Sequence, residues 1–469
     1  ILNDFYKVNS FTVEENLALF EKMKNGVFLI NTSRGGVIDE EYRSYYVADR
    51  TNTLGKGILG LTLECAKCHD HKYDALTQKN YFELYSFFNQ VNEKGMQLYA
   101  GDAANKKYFA DAPFMKITDE IITEELPFIN KEIGNPVDVM IMNDSAPKAT
   151  HVLNRGNYDD PTDKVSPNTP NSIYPFSENL QKDRLGLANW VTDKNNPLTS
   201  RVFVNRIWAM LFGNGLVLTT EDFGVQGSLP THPELLDWLA KDFMEHDWDI
   251  QYLLKKIMLS ATYQQTSEIT PELKKVDPEN KLLARASRFR MSGEMIRDYM
   301  LATSGLLNPE IGGPSVKPYQ PEGLWAETKS GGGNYLGKYV DDTGGKLYRR
   351  SMYTFWKRTL PPPSMTIFDA PTRDFCEVRR QKTNTPLQAL ALQNDEQILE
   401  AARVLAQQMI AKNQNKDELV ENVFQRILVR QPNTNELNAL KQYYSDATES
   451  FKSNTKNAEK LLEQGDYEN

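Results

Sequence analysis

The chain reads outward from one stretch, Leu59 to Asp74, with the sequence Leu-Gly-Leu-Thr-Leu-Glu-Cys-Ala-Lys-Cys-His-Asp-His-Lys-Tyr-Asp. It holds two of the three cysteines and two of the five histidines in 469 residues. Cys65, Cys68 and His69 fit the C-x-x-C-H pattern of covalent c-type haem attachment. Two thiols at this spacing can each add to a vinyl group of one porphyrin, and the adjoining His69 then reaches the iron as proximal ligand. The apolar run from Ile58 to Leu63 offers one wall of a dry pocket.

The same residues support other chemistry. Cys65, Cys68, His69 and His71 are four plausible zinc ligands, although four donors within seven residues make a cramped tetrahedron. The two cysteines could also form a disulfide or a redox dithiol without metal. His71 is a poor axial partner for His69, because residues so close in sequence do not span both faces of one porphyrin. A sixth iron ligand has to come from elsewhere, and Met96, His151 and His232 are candidates that the sequence does not rank.

Size and composition bound the rest. A chain of 469 residues exceeds what one core usually serves, so two or three domains are expected. Hydrophobic residues make up 40% and charged residues 25%, as in an ordinary soluble globular protein. A net charge of -9 argues against a general nucleic-acid binder. No apolar run approaches the ~20 residues of a membrane helix. The sequence starts at Ile1 without an initiator Met or a signal peptide, so the numbering is expected to begin inside a longer precursor. Haem attachment of this type takes place outside the cytoplasm, which implies a periplasmic or secreted protein. Three cysteines are too few for a disulfide scaffold, and Cys376 reads as a small buried residue.

Along the chain, residues 1–39 differ in pattern from the remainder, and residues 20–39 alone resemble a segment of the D-2-hydroxyacid dehydrogenases, in which Arg34 would bind a substrate carboxylate. The Gly-rich phosphate cradle such an enzyme needs is absent. From Glu40 to about Gly95 the pattern is helical, and Tyr81, Leu84, Tyr85, Phe87 and Phe88 recur at helical spacing as core. Leu126 to Met142 contains short β-like runs, of which Val139 to Met142 suggests a buried strand, and Pro161 to Pro175 reads as an extended linker or a loop wrapping the surface. A domain boundary is expected near 175–182. Beyond it, helices are predicted over Arg184 to Val191, Asn196 to Trp208, Leu235 to Met244, Tyr252 to Ser260 and Lys281 to Gly305. Thr231 is expected to cap the third of these, ahead of Pro233 and an acid in the first turn. Gly312 to Gly345 is loop-like, Leu347 to Leu360 is β-like or mixed, and Leu387 to Leu462 is helical with a break at Gln431-Pro432. The expectation is a mainly α, multi-helix chain of two domains with minor β and long loops. Its parts are a divergent segment 1–39, a C-x-x-C-H domain with linker over 40–175, and a helical domain over 176–469.

Blocks spread over residues 40–465 resemble one family. They run from Asp49-Arg50 through the C-x-x-C-H stretch to Phe88, then over Asn196 to Trp208, Asp222-Phe223-Gly224, Pro230 to Asp237, Ser260 to Tyr263, Arg349 to Arg358 and Cys376 to Leu390. In this order they resemble the planctomycetal cytochrome-like proteins, which pair two domains of unknown function. The resemblance implies export and a c-type haem, and it extends no reaction to this chain. Residues 1–39 depart from the family's pattern.

Three functions are compatible with these residues. The first is an exported redox or electron-transfer protein with haem at Cys65, Cys68 and His69, and an unspecified partner. The second is a hydrolase or lyase acting on polysaccharide, with Asn205, Arg206, Asp222, His232, Glu234, Arg349, Arg358, Arg379 and Arg380 as candidates. There the arginines would hold anionic groups bidentately, and His232 with Glu234 or Asp222 would do acid–base work. The third is a structural module whose C-x-x-C-H loop is stapled by zinc or a disulfide. Asp222-Phe223-Gly224 matches the kinase metal-binding triplet but lacks every companion motif. The first reading is the one the sequence favours.

Overall fold

Thr77 starts the helix around which the first core is built. Its hydroxyl accepts from the Asn80 amide, while the Asn80 side chain accepts from the Thr77 amide, each at 3.1 Å. This reciprocal cap satisfies two donors that a helix start would leave open. The computed structural model describes residues 39–91, 114–125, 134–144, 148–327, 339–357, 359–373, 377–412 and 415–467. Residues 1–38, including Arg34 and most of the dehydrogenase-like segment, lie outside the described residues, as do Met96, Arg358 and Cys376.

The helices are α1 (Asp39–Leu54), α2 (Gln78–Phe88), α3 (Asp119–Glu125), α4 (Arg184–Val191), α5 (Thr199–Phe212), α6 (Pro233–Glu245), α7 (Ile250–Met258) and α8 (Pro271–Val276) in the first part. They continue as α9 (Gly293–Ser304), α10 (Leu324–Glu327), α11 (Pro363–Thr366), α12 (Pro386–Asn394), α13 (Glu396–Lys412), α14 (Lys416–Leu428), α15 (Thr434–Ser453) and α16 (Thr455–Leu462). Strands are minor. β1 (Phe114–Ile117) pairs antiparallel with β2 (Val137–Met140), and β3 (Thr150–Leu153) pairs antiparallel with β4 (Pro161–Val165). The fold is mainly α with minor β, as expected.

The chain divides into two compact units, residues 1–289 and 290–469. In the first, α2 buries Tyr81, Phe82, Leu84, Tyr85 and Phe87. Burial on nearly all sides, at roughly 1.5–3 kcal/mol for each large side chain, makes this helix the centre of its core. The aromatic stripe is therefore packing. A second cluster in the same unit joins Val204, Trp208 and Phe212 of α5 to Leu236, Leu239 and Phe243 of α6 and to Leu253 and Ile257 of α7. The second unit packs Leu301 of α9 against Leu306, Leu347, Tyr348 and Ala401 and Val404 of α13.

Several details differ from the sequence reading. The stretch 161–175 contains β4, whose Val165 is buried opposite Thr150. Residues 173–180 pack on the first core through Ile173, Tyr174, Phe176 and Leu180, and the Trp190 indole donates to the Tyr174 carbonyl at 2.9 Å. The expected boundary stretch thus lies within the first unit. Residues 281–292 are not helical; α9 starts only where the Ser292 hydroxyl accepts from Met295. His232, not Thr231, occupies the cap position of α6, because the Thr231 amide and hydroxyl are drawn to the Leu216 carbonyl.

Candidate functional site

A π-helical turn, Gly55–Leu59, succeeds α1, and Gly60 ends it at φ +62°. A Cβ at Gly60 would stand 2.8 Å from Val202 and 2.9 Å from Phe223, so only glycine meets both the backbone and the space. A 3-10 turn then runs over Leu63–Lys67. Its three-residue period eclipses side chains at i and i+3. Leu63 and Ala66 therefore share the buried side, at 1% and 0% exposure, while Cys65 and Cys68 share the solvent side. The Cys68 amide closes the turn on the Cys65 carbonyl at 3.3 Å. Both thiols are free.

His69 is exposed beside them, and its Nδ1 lies 2.7 Å from the Asp70 carbonyl oxygen. A carbonyl only accepts, so Nδ1 carries a proton, and in the neutral ring Nε2 then holds the lone pair. That is the arrangement in which a ligating imidazole is fixed by a backbone acceptor. Gln78 ties the turn down from behind, donating from Nε2 to the carbonyls of Lys67 at 3.0 Å and Leu153 at 2.9 Å, while its amide donates to Asp70 Oδ1 at 2.7 Å. The Lys67 ammonium sits 5.2 Å from the ring centre of exposed Tyr45. Burial pushes the Tyr81 hydroxyl well above the ordinary tyrosine range, and nearby Tyr85, Glu64 and Cys68 push the same way.

His71 faces the other way. Its side chain is 5% exposed, its Nδ1 accepts from the Asp74 amide at 2.9 Å, and its Nε2 lies 3.4 Å from Thr62 Oγ1. Asp74 Oδ2 is also 3.3 Å from Nδ1, which would suit an ion pair with a protonated ring. One nitrogen cannot accept and donate along both lines. The shorter, aligned amide bond takes precedence, which places the ring proton on Nε2 toward Thr62 and leaves Asp74 Oδ2 buried without a hydrogen-bond partner.

The four-ligand set Cys65, Cys68, His69 and His71 is consequently split. Three face solvent and the fourth is engaged inside, and among the described residues no three His, Cys, Asp or Glu side chains converge as a metal site. Haem makes a smaller demand. The two cysteines bond to porphyrin carbons and only His69 gives a donor to iron, so this donor set fits haem chemically where it does not assemble for zinc.

The remaining candidates are held in local structure. Asp222 Oδ1 accepts from the Gly224 amide at 2.8 Å, and His232 Nδ1 lies 3.0 Å from Thr231 Oγ1. Asn205 is fully buried and exchanges two bonds with the Val217 backbone, at 2.9 and 2.8 Å. Glu234 is exposed in the first turn of α6, and His151 lies on β3 opposite Lys164. In the second unit Arg349 is buried, bonds the carbonyls of Glu310, Gly312 and Pro314, and stacks 3.8 Å from the ring centre of Tyr353. Arg380 pairs with Glu294 at 2.8 Å, and Arg379 is exposed. That unit also has a cleft lined by Arg297, Tyr319, Asp395, Gln397 and Phe368. The Arg297 donors go to Gln397, Ser351 and the carbonyls of Leu347 and Arg349, and burial lowers its pKa to about 10.

The sequence reading gave Asp74 no role, yet its Oδ1 accepts from the Val225 amide at 2.7 Å. Phe223 donates its amide to the Gly60 carbonyl at 2.7 Å. No local signal announces a pairing of residues 151 positions apart.

Neither a search of curated proteins nor a search of solved structures finds a match to the chain. Two families do match. Residues 13–93 match PSCyt2, described as a protein of unknown function (DUF1549), and residues 183–444 match PSD1, described as a protein of unknown function (DUF1553). The first match starts at residue 13, so most of the segment expected to diverge falls within it. The second match covers more than half of the chain, and the cysteine turn lies in one matched region while the 222–225 turn lies in the other. The chain therefore belongs to the PSD1 (DUF1553) family of proteins of unknown function, here paired with a PSCyt2 (DUF1549) region.

Proposed function

We propose that the protein is an exported c-type-cytochrome-like electron carrier, with haem held at Cys65, Cys68 and His69. One observation carries this reading: a 3-10 turn presents two free thiols on one face, next to an imidazole whose Nδ1 is tied to a backbone carbonyl.

Each thiol would add across a porphyrin vinyl group. The S–H bond and the C=C π bond break while one S–C and one C–H bond form, so the addition is balanced without an oxidant. His69 Nε2 would supply the proximal lone pair, and the Asp70 carbonyl would keep the ring from turning. Leu63 and Ala66, both buried, would hold the turn in place from beneath. Bound haem supplies one-electron exchange. Attachment of this kind takes place outside the cytoplasm, which makes the periplasm or the extracellular space the expected location. A redox partner is the expected interaction.

The test is a visible spectrum of the reduced protein in alkaline pyridine, with intact mass, after expression in a host that attaches haem c. A haem c spectrum and a mass raised by one haem support the reading. A colourless protein at its bare mass would sink it.

A further inference from the structure

The motif does not end at His69, and the structure gives its remaining residues work. His71 bridges the loop from inside: Thr62 stands on one side of its ring, before the cysteines, and the Asp74 amide on the other, after them. The His71 amide also donates to the Leu76 carbonyl at 2.8 Å, and Leu76 returns its amide to Asp74. The loop is thus closed across its base by one imidazole that is almost wholly buried.

Asp74 then fastens this closed loop to a distant part of the same unit. Its Oδ1 takes the Val225 amide, and its carboxylate fills the space above Gly224. A Cβ at Gly224 would lie 2.5 Å from Oδ2 and 2.6 Å from Oδ1, closer than real contacts come, and the carboxylate is buried and held by the Val225 amide. Asp222 shapes the receiving turn, since its Oδ1 holds the Gly224 amide. Phe223 adds its own amide to the Gly60 carbonyl, ahead of the cysteines. The Asp-Phe-Gly triplet is therefore a socket for the cysteine loop.

We infer that His71 and Asp74 are positioning residues for the Cys65–His69 turn, and that the turn Asp222–Val225 in the PSD1 region is the socket on which they seat it. This rests on the haem reading for its purpose and on the observed bonds for its geometry. A haem-binding turn needs its imidazole and thiols held in a fixed frame, because small displacements of an axial ligand change iron ligation. Here the frame comes from both matched regions at once, which gives a physical reason for their occurrence in one chain.

The experiment uses full-length, haem-free protein and hydrogen exchange read by mass spectrometry. The variants are Gly224→Ala, His71→Leu and His71→Asn, the last keeping an acceptor for the Asp74 amide. Exchange in peptides spanning 61–72 should accelerate tenfold or more in Gly224→Ala and His71→Leu, with peptides of α2 unchanged and His71→Asn close to wild type. Unchanged exchange in 61–72, or an equal acceleration in α2, would overturn the inference, since a purely global loss of stability moves both. The outcome does not depend on haem. If the wild type also fails to take up haem in a competent host, the haem reading falls, and the exchange result still decides the socket.

Discussion

Arg206 on α5 donates from Nη1 to the Gly57 carbonyl at 2.7 Å and from Nη2 to the Lys56 carbonyl at 3.4 Å. A residue of the PSD1 region thereby satisfies the end of the π-helical turn that leads into the cysteine loop. Helix ends leave carbonyls without partners, and a guanidinium that reaches two of them replaces the missing bonds. Arg206→Ala should lower stability by about 1.5–3 kcal/mol, the usual range for a charged hydrogen bond. Arg206→Lys should cost less, since one of the two bonds survives. Urea denaturation of the three proteins checks this, and equal midpoints would refute it.

The cysteines are expected to act independently. Each thiol reaches its own vinyl group under the proposed attachment, so Cys65→Ser and Cys68→Ser should each retain one thioether. Their reduced pyridine spectra should fall between those of haem c and haem b, because one vinyl group stays conjugated with the ring. The double variant should release all its haem into acidified butanone. Covalent haem surviving in the double variant would place attachment elsewhere.

Asp74 provides a prediction of opposite sign to the usual one for a buried charge. Its Oδ2 is buried without a hydrogen-bond partner, facing the accepting Nδ1 of His71. An unpartnered buried acceptor costs about 1–3 kcal/mol, more when charged. In Asp74→Asn the carboxamide can keep its oxygen on the Val225 amide and turn its NH2 toward Nδ1. The variant should match or exceed wild type in thermal midpoint. Asp74→Ala loses the Val225 bond and empties the socket, and should melt lower. A clear loss of stability in Asp74→Asn, equal to that of the alanine variant, would contradict this account.

Residues 63–71 show what the sequence reveals and what it does not. The spacing of Cys65, Cys68 and His69 singles these residues out, and the 3-10 turn repeats every three residues, so the two cysteines share the solvent side. His71 is only two residues from His69, and proximity in sequence suggests a shared role as ligand. The backbone leaves the 3-10 turn after Lys67, so the two rings point to opposite sides. The helical periodicity of Tyr81 to Phe87 was legible because a buried helix must repeat its apolar positions, whereas β3 and β4 are too short for alternation to stand out. The Asp74–Val225 bond was illegible for a further reason. A contact across 151 residues is set by how two cores pack, and neither end carries a mark of the other.

Asp369 tests the second unit through pH. It sits at φ +60°, a backbone region that Asp and Asn tolerate better than other side chains. Its Oδ2 accepts from the Thr383 amide at 2.7 Å and from Arg290, and its Oδ1 lies 2.9 Å from the Thr383 hydroxyl. Burial alone would raise its pKa, but the Thr383 bonds and the Arg290 charge outweigh it, so the carboxyl lies below its ordinary 3.8. A depressed carboxylate contributes stability that is present above the unfolded value and lost as pH falls through the folded one. Asp369→Asn keeps the backbone conformation and removes only the charge. The wild type should therefore be the more stable protein near neutral pH by about 1.5–3 kcal/mol, the range for hydrogen bonds to a charged group. That advantage should hold down to about pH 5 and shrink progressively below about pH 4. Chemical denaturation of both proteins across this range decides it: a gap that stays constant into strong acid would mean that the carboxylate charge contributes nothing to the fold.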